Sequence, residues 1–230
     1  GNNALTYNAI SPNNLLTLTQ PISLFGLYIQ DIKGSGIIIN QKLVDVKYTI
    51  IGKDWDAGDL DTPKVLGNGI EINATNVSLD WIDIYHSATG ILNKSLATNT
   101  IISNVDVSKN TKSGLFNLDG IINVTNSRFN SNEFNGIVNS SGTIIADKVE
   151  AKQNLVRGIY SGGTSSTDIT NSTLYNNKSF GFEISSTKPE SDLNPFTGTA
   201  EAVLPNVTCV KSNIAGNNGD TIQVFNSVNQ

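Results

Sequence analysis

A glycine followed by a large apolar residue recurs in the second half of this chain at nearly constant spacing. The pairs begin at Gly90, Gly114, Gly136, Gly158 and Gly181, so the intervals are 24, 22, 22 and 23 residues. A polar residue stands four positions before each glycine: His86, Asn110, Asn132, Asn154 and Asn177, with Ser212 before Gly216 in the same way. Self-similarity at a fixed period of this length is the signature of a solenoid of stacked coils.

Further columns keep the same register as the glycines. A second polar column lies six residues before the first and contains Asn104, Asn126, Lys148, Asn171 and Asn206. Two residues before it lie Ile102, Val124, Ala146, Ile169 and Leu204, and three residues after it lie Val107, Phe129, Ala151, Leu174 and Cys209. Apolar and polar residues alternate between these columns, which predicts short strands that bury every second side chain.

The composition narrows the type of solenoid. Charged residues make up only 15% of the chain, and recurrent Gly and Asn disfavour helices. These two residue types tolerate the left-handed backbone that a sharp corner between strands requires. A leucine-rich repeat needs regularly spaced Leu, and a β-propeller repeats every ~40 residues or more, so neither pattern matches. The sequence therefore predicts an all-β fold, a right-handed parallel β-helix with coils of about 22–24 residues.

Stacking explains the Asn columns without any ligand. Equivalent side chains on successive coils lie ~4.8 Å apart, so their amides can hydrogen-bond along the stack as a ladder. We favour this structural role over ligand contact for both columns.

The whole of residues 1–230 is predicted to be a single β-helix domain. Residues 1–68 follow the repeat poorly and would form less regular N-terminal coils or a cap, whereas 69–230 form regular coils. The last interval of the glycine repeat is 35 residues long, which predicts an inserted loop near 188–200. Loops inserted between coils are where solenoids commonly carry function.

Charge and hydropathy exclude two classes of partner. The net charge is -5 and the chain has only two arginines, Arg128 and Arg157, which argues against a nucleic-acid groove. No run of 18 apolar residues is present, so no membrane span is predicted. The single cysteine, Cys209, cannot form an internal disulfide and is predicted to be a small buried apolar residue.

A first candidate site surrounds residues 80–86. The segment Asn76–Leu79 matches Asn104–Val107, yet the next glycine arrives four residues late, which predicts a bulge there. The bulge would place Asp80, Trp81, Asp83, Tyr85 and His86 on one edge as a sugar or cation site. The alternative, which we favour, is that His86 occupies the amide ladder position and Trp81 covers the core.

A second candidate site is the acidic segment that follows Lys53. Carboxylates at Asp54, Asp56, Asp59 and Asp61 flank a glycine, an arrangement that could bind Ca²⁺. The spacing departs from that of an EF-hand loop, so a solvated surface loop is the favoured alternative and no cofactor is firmly predicted. Trp55 within this polar turn is predicted to stack on a ligand or to pack.

The coil pattern of Asn before Gly resembles the pectin-lyase-like superfamily of parallel β-helices. The resemblance rests on Asn126–Asn130 and Asn132–Ile137 and extends over roughly residues 69–224. It implies the fold and a family range that includes pectate lyases, polygalacturonases, phage tailspikes and bacterial surface adhesins. The Gly-His-Gly and Arg-Ile-Lys motifs of polygalacturonase-like members are missing here. A lyase base would have to be Arg128 or Arg157, neither of which has an obvious acidic cluster beside it.

These observations favour a noncatalytic, adhesin-like β-helix module, extracellular or at a cell surface, that binds polysaccharide or a host surface glycan. The alternative is a polysaccharide lyase or glycoside hydrolase acting on an acidic polymer such as pectate. Arg157, with Lys148 and Lys152 nearby, would then form a basic surface. A structural spacer or a tailspike segment that forms a trimeric homo-oligomer is a third prediction.

Overall fold

The structure is a computed structural model and describes residues 6–7, 15–30, 32–52, 65–94, 97–189, 198–200, 204–219 and 222–225. Within these residues the chain forms 25 strands and no helix. The first nine strands are β1 (Thr6–Tyr7), β2 (Leu16–Leu18), β3 (Ile22–Phe25), β4 (Tyr28–Ile29), β5 (Ile37–Ile39), β6 (Val44–Ile51), β7 (Ile70–Ile72), β8 (Val77–Tyr85) and β9 (Ile91–Asn93). The next nine are β10 (Thr100–Ser103), β11 (Asp106–Ser108), β12 (Leu115–Asn117), β13 (Ile121–Thr125), β14 (Ile137–Asn139), β15 (Thr143–Asp147), β16 (Glu150–Lys152), β17 (Ile159–Gly162) and β18 (Ser166–Thr170). The last seven are β19 (Thr173–Tyr175), β20 (Phe182–Ser185), β21 (Thr187–Pro189), β22 (Gly198–Ala200), β23 (Asn206–Val210), β24 (Asn213–Ala215) and β25 (Ile222–Phe225).

Three parallel sheets run along the molecule, and each successive coil adds strands to them. The first sheet has the order β2-β5-β7-β9-β12-β14-β17-β20-β25, and the second has the order β1-β4-β6-β8-β10-β13-β15-β18-β23. The third contains β16-β19-β24 and continues towards earlier coils through single bridges to Arg128 and Asp106, and through β11 onto β8. The predicted fold, an all-β right-handed parallel β-helix, is confirmed.

The second and third sheets meet at what we call the outer corner, where one residue per coil has a left-handed backbone. Its members, taken from the strand registers, are Gly26, Tyr48, Trp81, Asn104, Asn126, Lys148, Asn171 and Lys211. Their φ angles lie between 48° and 65°. The corner residue shifts the strand alternation by one, so Leu79 before Trp81 and Ile82 after it are both buried. Apolar side chains from both sheets therefore face one core.

A buried amide ladder runs beside a second left-handed corner. It consists of Asn110, Asn132, Asn154, Asn177 and Asn217, and each side-chain Nδ2 donates to the Oδ1 of the next residue at 2.9 to 3.1 Å. Each Oδ1 also accepts a backbone N–H from the preceding coil. The predicted ladder column is confirmed for its four asparagines, Asn110, Asn132, Asn154 and Asn177.

The ladder positions expected for His86 and Ser212 were wrong. His86 lies one residue before the ladder position, at the second corner, with φ 51°. Ser87 occupies the ladder position, and its backbone N–H donates to Asn110 Oδ1. The turn before Gly90 is one residue shorter than in later coils. The last ladder residue is Asn217, 40 residues after Asn177, so the final coil is longer than the glycine spacing indicates.

Because the final coil is longer than predicted, the other columns were also assigned to the wrong residues there. Asn206 pairs with Ser166, and Lys211 takes the outer corner position predicted for Asn206. Cys209 pairs with Ile169 rather than Leu174, and it is exposed, not buried as predicted. The reason is that β23 is the last strand of the second sheet among the described residues, so no further coil there covers Cys209.

A hairpin interrupts the coils near the predicted insertion. Strands β21 and β22 pair antiparallel, and residues 190–197 between them are outside the described part of the chain. The Tyr160 hydroxyl donates to the carbonyl of Thr187 at 2.8 Å, and Ser140 Oγ donates to the carbonyl of Pro189 at 2.5 Å. These bonds hold the hairpin against the outer side of the first sheet, where Phe116, Val138 and Tyr160 form a second apolar cluster.

Candidate functional site

Trp81 stands at the outer corner, where the next two coils have Asn104 and Asn126. Its φ is 55° and its side chain is 55% exposed. A left-handed backbone costs an L-residue about 1–2 kcal/mol, and Asn is among the few residues that adopt it routinely. Because more than half of this large aromatic side chain is exposed, its burial offsets only part of that cost. Strain of this kind concentrates at functional positions.

Trp81 forms one wall of a depression of about 300 Å³ that we call the corner pocket. Its lining residues are Trp81, Asp83, Asn104, Val105, Asp106, Asn126 and Arg128. The pocket therefore combines an indole face with two carboxylates, two amides and a guanidinium group. Its residues come from three successive coils, and only their stacking brings them together.

The charged groups of the pocket lie in one column of the third sheet. Asp83 pairs in register with Asp106, and Asp106 pairs with Arg128. Arg128 Nη2 donates to Asp106 Oδ2 at 2.8 Å, and the Arg128 side chain is 61% exposed. Asp106 Oδ1 also accepts a short hydrogen bond from Ser108 Oγ. The ion pair fixes the guanidinium in the pocket while leaving most of it accessible to solvent.

Tyr85 lies next to the pocket, two residues after Asp83 on β8. Burial raises the pKa of its phenol, and the charges of Asp106 and Asp83 and a hydrogen bond to Asp106 raise it further, while Arg128 lowers it. The net result is a pKa for Tyr85 well above the ordinary value of a tyrosine. Tyr85 is therefore a neutral hydrogen-bonding group that helps to hold Asp106, and it cannot serve as a phenolate base at neutral pH.

Asp80 lies on the other side of the corner and supports the pocket indirectly. Its Oδ1 accepts hydrogen bonds from Ser103 Oγ and Asn104 Nδ2, both at 2.8 Å. The predicted bulge at residues 80–83 is wrong, because β8 pairs with its neighbours on both sides of Trp81. The earlier match of Asn76 with Asn104 was five residues out of register, since Asn104 is equivalent to Trp81.

Arg157 does not lie on the surface, contrary to the basic surface predicted around it. Its side chain is 2% exposed, and Nε donates a short hydrogen bond to Glu183 Oε2. The guanidinium carbon lies 5.0 Å from the centre of the Tyr160 ring, and Nη1 is 3.5 Å from Asn135 Oδ1. In this position Arg157 stabilises the outer side of the first sheet and does not face solvent as a ligand-binding cation.

The acidic segment of the second candidate site lies outside the described residues. This applies to Trp55 and to Asp54, Asp56, Asp59 and Asp61, so their predicted role in ligand or calcium binding stays a prediction. Within the described ranges, no three His, Cys, Asp or Glu side chains are grouped so that they could hold a metal ion. His86 lies at the second corner and is not among the residues that line the corner pocket.

The structure brings Trp81 and Asp83 together and adds residues that were not predicted for this site. Asp106 and Arg128 are 23 and 45 residues from Asp83 in the sequence, and they reach it only through the coil register. The signal was present: once Trp81 is aligned with Asn104 and Asn126, the residue two positions later is Asp83, Asp106 and Arg128 in turn.

Hydrophobic helices that could span a bilayer are absent from the described residues. No protein-family model and no curated protein matches this chain.

Proposed function

We propose that this chain is a noncatalytic, polysaccharide-binding β-helix of the pectin-lyase-like kind, acting outside the cell or at a cell surface. The corner pocket is the binding site. The observation that carries the proposal is Trp81, an exposed indole held at a left-handed corner beside charged and amide groups. Neither packing nor backbone preference accounts for tryptophan at that position.

The chemistry of the pocket suits a sugar. An aromatic face binds the apolar C–H face of a pyranose ring, and the indole N–H remains available as a donor. Carboxylates such as Asp83 accept hydrogen bonds from hydroxyl groups, and Arg128 donates several in a fixed fork. A pocket of about 300 Å³ is at the lower end of the range for small-ligand sites. It fits a short stretch of a polymer better than a large, enclosed ligand.

A hydrolase is the second candidate, because two carboxylates stand side by side. Asp83 and Asp106 are cross-strand neighbours, and glycosidases use two carboxyl groups roughly 5 to 10 Å apart. Asp106, however, is already engaged by Arg128 and Ser108. A lyase using Arg157 as base has no support, since that side chain is buried and paired with Glu183. Arg128, the other candidate base, is already engaged in an ion pair with Asp106. Binding is therefore the better-supported function.

Affinity electrophoresis tests the proposal directly. The protein is run through native gels that each contain hydroxyethyl cellulose, galactomannan, dextran or polygalacturonate, and its mobility is compared with that in a plain gel. We expect at least one polymer to retard the protein and Trp81→Asn to abolish the retardation. Asparagine suits this corner, as Asn104 and Asn126 show, so the variant keeps its fold.

The matched control is Leu43→Asn. Leu43 is an exposed apolar residue with φ 62° at a different corner, and its equivalent in the next coil is Asn76. This variant should migrate as the parent protein does in every gel. Equal retardation of the parent protein and of Trp81→Asn would contradict the proposed binding site. Release of reducing ends or of ultraviolet-absorbing unsaturated products from a retarding polymer would instead establish an enzyme.

A further inference from the structure

Aromatic side chains continue from the corner pocket towards the N-terminal coils. Phe25, Tyr48 and Trp81 lie on three successive coils at the outer corner and are 58%, 58% and 55% exposed. Tyr48 is in register with Trp81, and Phe25 immediately precedes Gly26, the corner residue of the coil before. The rings of Phe25 and Tyr48 are 6.0 Å apart between centroids, with planes at 34°. We call these three residues the aromatic ridge.

Backbone strain shows that the ridge is not a default of the fold. Tyr48 has φ 50°, so a second bulky aromatic residue occupies a left-handed position, one coil away from Trp81. The later coils fill the same corner with asparagine or lysine. Folding requires only a residue that tolerates the left-handed backbone, and Asn or Gly would meet that requirement at lower cost. Exposed aromatic side chains on successive coils point instead to a ligand that contacts several coils.

We infer that the aromatic ridge and the corner pocket form one extended site for a linear, uncharged polysaccharide lying along the solenoid axis. The inference rests on the proposed function and specifies its ligand. Four coil steps separate Phe25 from Arg128, so at ~4.8 Å per step the site is about 19 Å long. That length accommodates several sugar rings in a row. The polysaccharide stacks on the aromatic ridge and places one of its ends in the corner pocket.

The charges along this path favour a neutral polymer. Lys47 and Asp80 beside the ridge are cross-strand partners, so their charges offset each other. In the pocket, Asp83 and Asp106 outnumber Arg128, which is already paired with Asp106. A uronic acid polymer would bring further carboxylates next to Asp83 without an unpaired cation among the lining residues to receive them.

The test uses the neutral polymer that retards the protein most among hydroxyethyl cellulose, galactomannan and dextran, and a disaccharide and hexasaccharide prepared from it. Calorimetry on the parent chain should show the hexasaccharide binding about tenfold more tightly than the disaccharide. The double variant Phe25→Ala/Tyr48→Asn should lose this advantage while binding the disaccharide as the parent does. Leu43→Asn is the control and should retain it. Urea denaturation of each variant verifies that it is folded.

The possible failures separate the two proposals. Equal affinity for the two oligosaccharides, or an undiminished advantage in the double variant, overturns the extended site, while loss of retardation in Trp81→Asn still supports the pocket. Stronger retardation by polygalacturonate than by any neutral polymer overturns the neutral ligand. If no polymer retards the parent protein, the proposed function fails and the inference fails with it.

Discussion

The amide ladder and the outer corner are two columns of equivalent residues on successive coils, and both are rich in asparagine at the repeat spacing. In the ladder, residues such as Asn132 are fully buried and bonded to the coils on both sides. At the outer corner, Asn126 and Asn171 are exposed, and Asn171 donates to the carboxylate of Asp147 rather than to another asparagine. One residue type therefore serves two different purposes at the same period.

The difference shows where a solenoid can vary. A ladder position demands a side chain with both a donor and an acceptor, because a buried amide or N–H without a partner is costly. A corner position demands only a backbone that tolerates positive φ, so the side chain can change from coil to coil. Trp81 and Tyr48 occupy such positions, and the function we propose lies on the column that folding constrains less.

The largest effect expected from this comparison is that of Asn132→Ala. The change leaves the backbone N–H and Nδ2 of Asn110 and the carbonyl of Val107 without their partner, while Asn154 Oδ1 keeps only its bond from the backbone N–H of residue 132. At about 1–3 kcal/mol for each buried group, we expect a loss of roughly 4–6 kcal/mol of unfolding free energy. Urea denaturation followed by circular dichroism measures it.

The control is Asn126→Gly at the outer corner, where φ is 48°. Glycine accepts this backbone freely, so its cost should stay within about 1 kcal/mol. Similar midpoint shifts for Asn132→Ala and Asn126→Gly would show that the two columns do not differ in the way described.

The next largest effect concerns the two arginines, which repeat the contrast between buried and exposed groups. Arg157→Met leaves the buried carboxylate of Glu183 without its cation, and breaking a buried pair in this way costs about 3–5 kcal/mol. Arg128→Met breaks an exposed pair, which is worth at most about 1 kcal/mol in solvent. Urea midpoints compare the two variants. A larger loss for Arg128→Met would contradict the burial of Arg157.

Trp81→Asn is expected to have a smaller effect on stability and in the opposite direction. It replaces a strained aromatic residue by the residue found at this corner in the next two coils, which should raise the unfolding free energy by up to about 1 kcal/mol. The same variant should lose polysaccharide binding, so stability and function would separate at one position. A clear loss of stability would mean that Trp81 is a packing residue.

The sequence predicted the fold correctly because the period is carried by many independent positions. Irregular lengths of single turns, such as the turn between Ser87 and Gly90 that is one residue shorter, do not change the coil length enough to hide the period. Register is a different matter, because hydrogen bonds between coils determine it and spacing alone does not. The column Asn93, Asn117 and Asn139, bonded amide to amide, was visible three residues after each glycine and was missed.

The corner pocket could be predicted only in part for the same reason. Trp81 and Asp83 attract attention as neighbours in the sequence, whereas Arg128 joins them only after the coils are aligned correctly. Matching Asn76 with Asn104 placed the coils five residues out of register, so Arg128 was not aligned with Trp81 and Asp83. Arg157 appeared to be a surface cation because nothing in its local sequence shows that Glu183, one coil later, provides a buried partner.

The smallest expected effect is electrostatic and distinguishes the two columns by pH. Hydrogen bonds from Asn171 and Thr170 hold the pKa of Asp147 below its ordinary value of 3.8. A carboxyl group whose pKa is lower in the folded state stabilises the fold above its ordinary pKa, and that contribution disappears as the pH falls below 3.8 through the lowered value. The outer corner should therefore weaken in acid, whereas the amide ladder has no titrating side chain. Asn171→Gly keeps the left-handed backbone and removes the donor, so it should return the pKa of Asp147 towards its ordinary value in a carbon-detected NMR titration. An unchanged pKa in that variant would show that Asn171 does not govern Asp147.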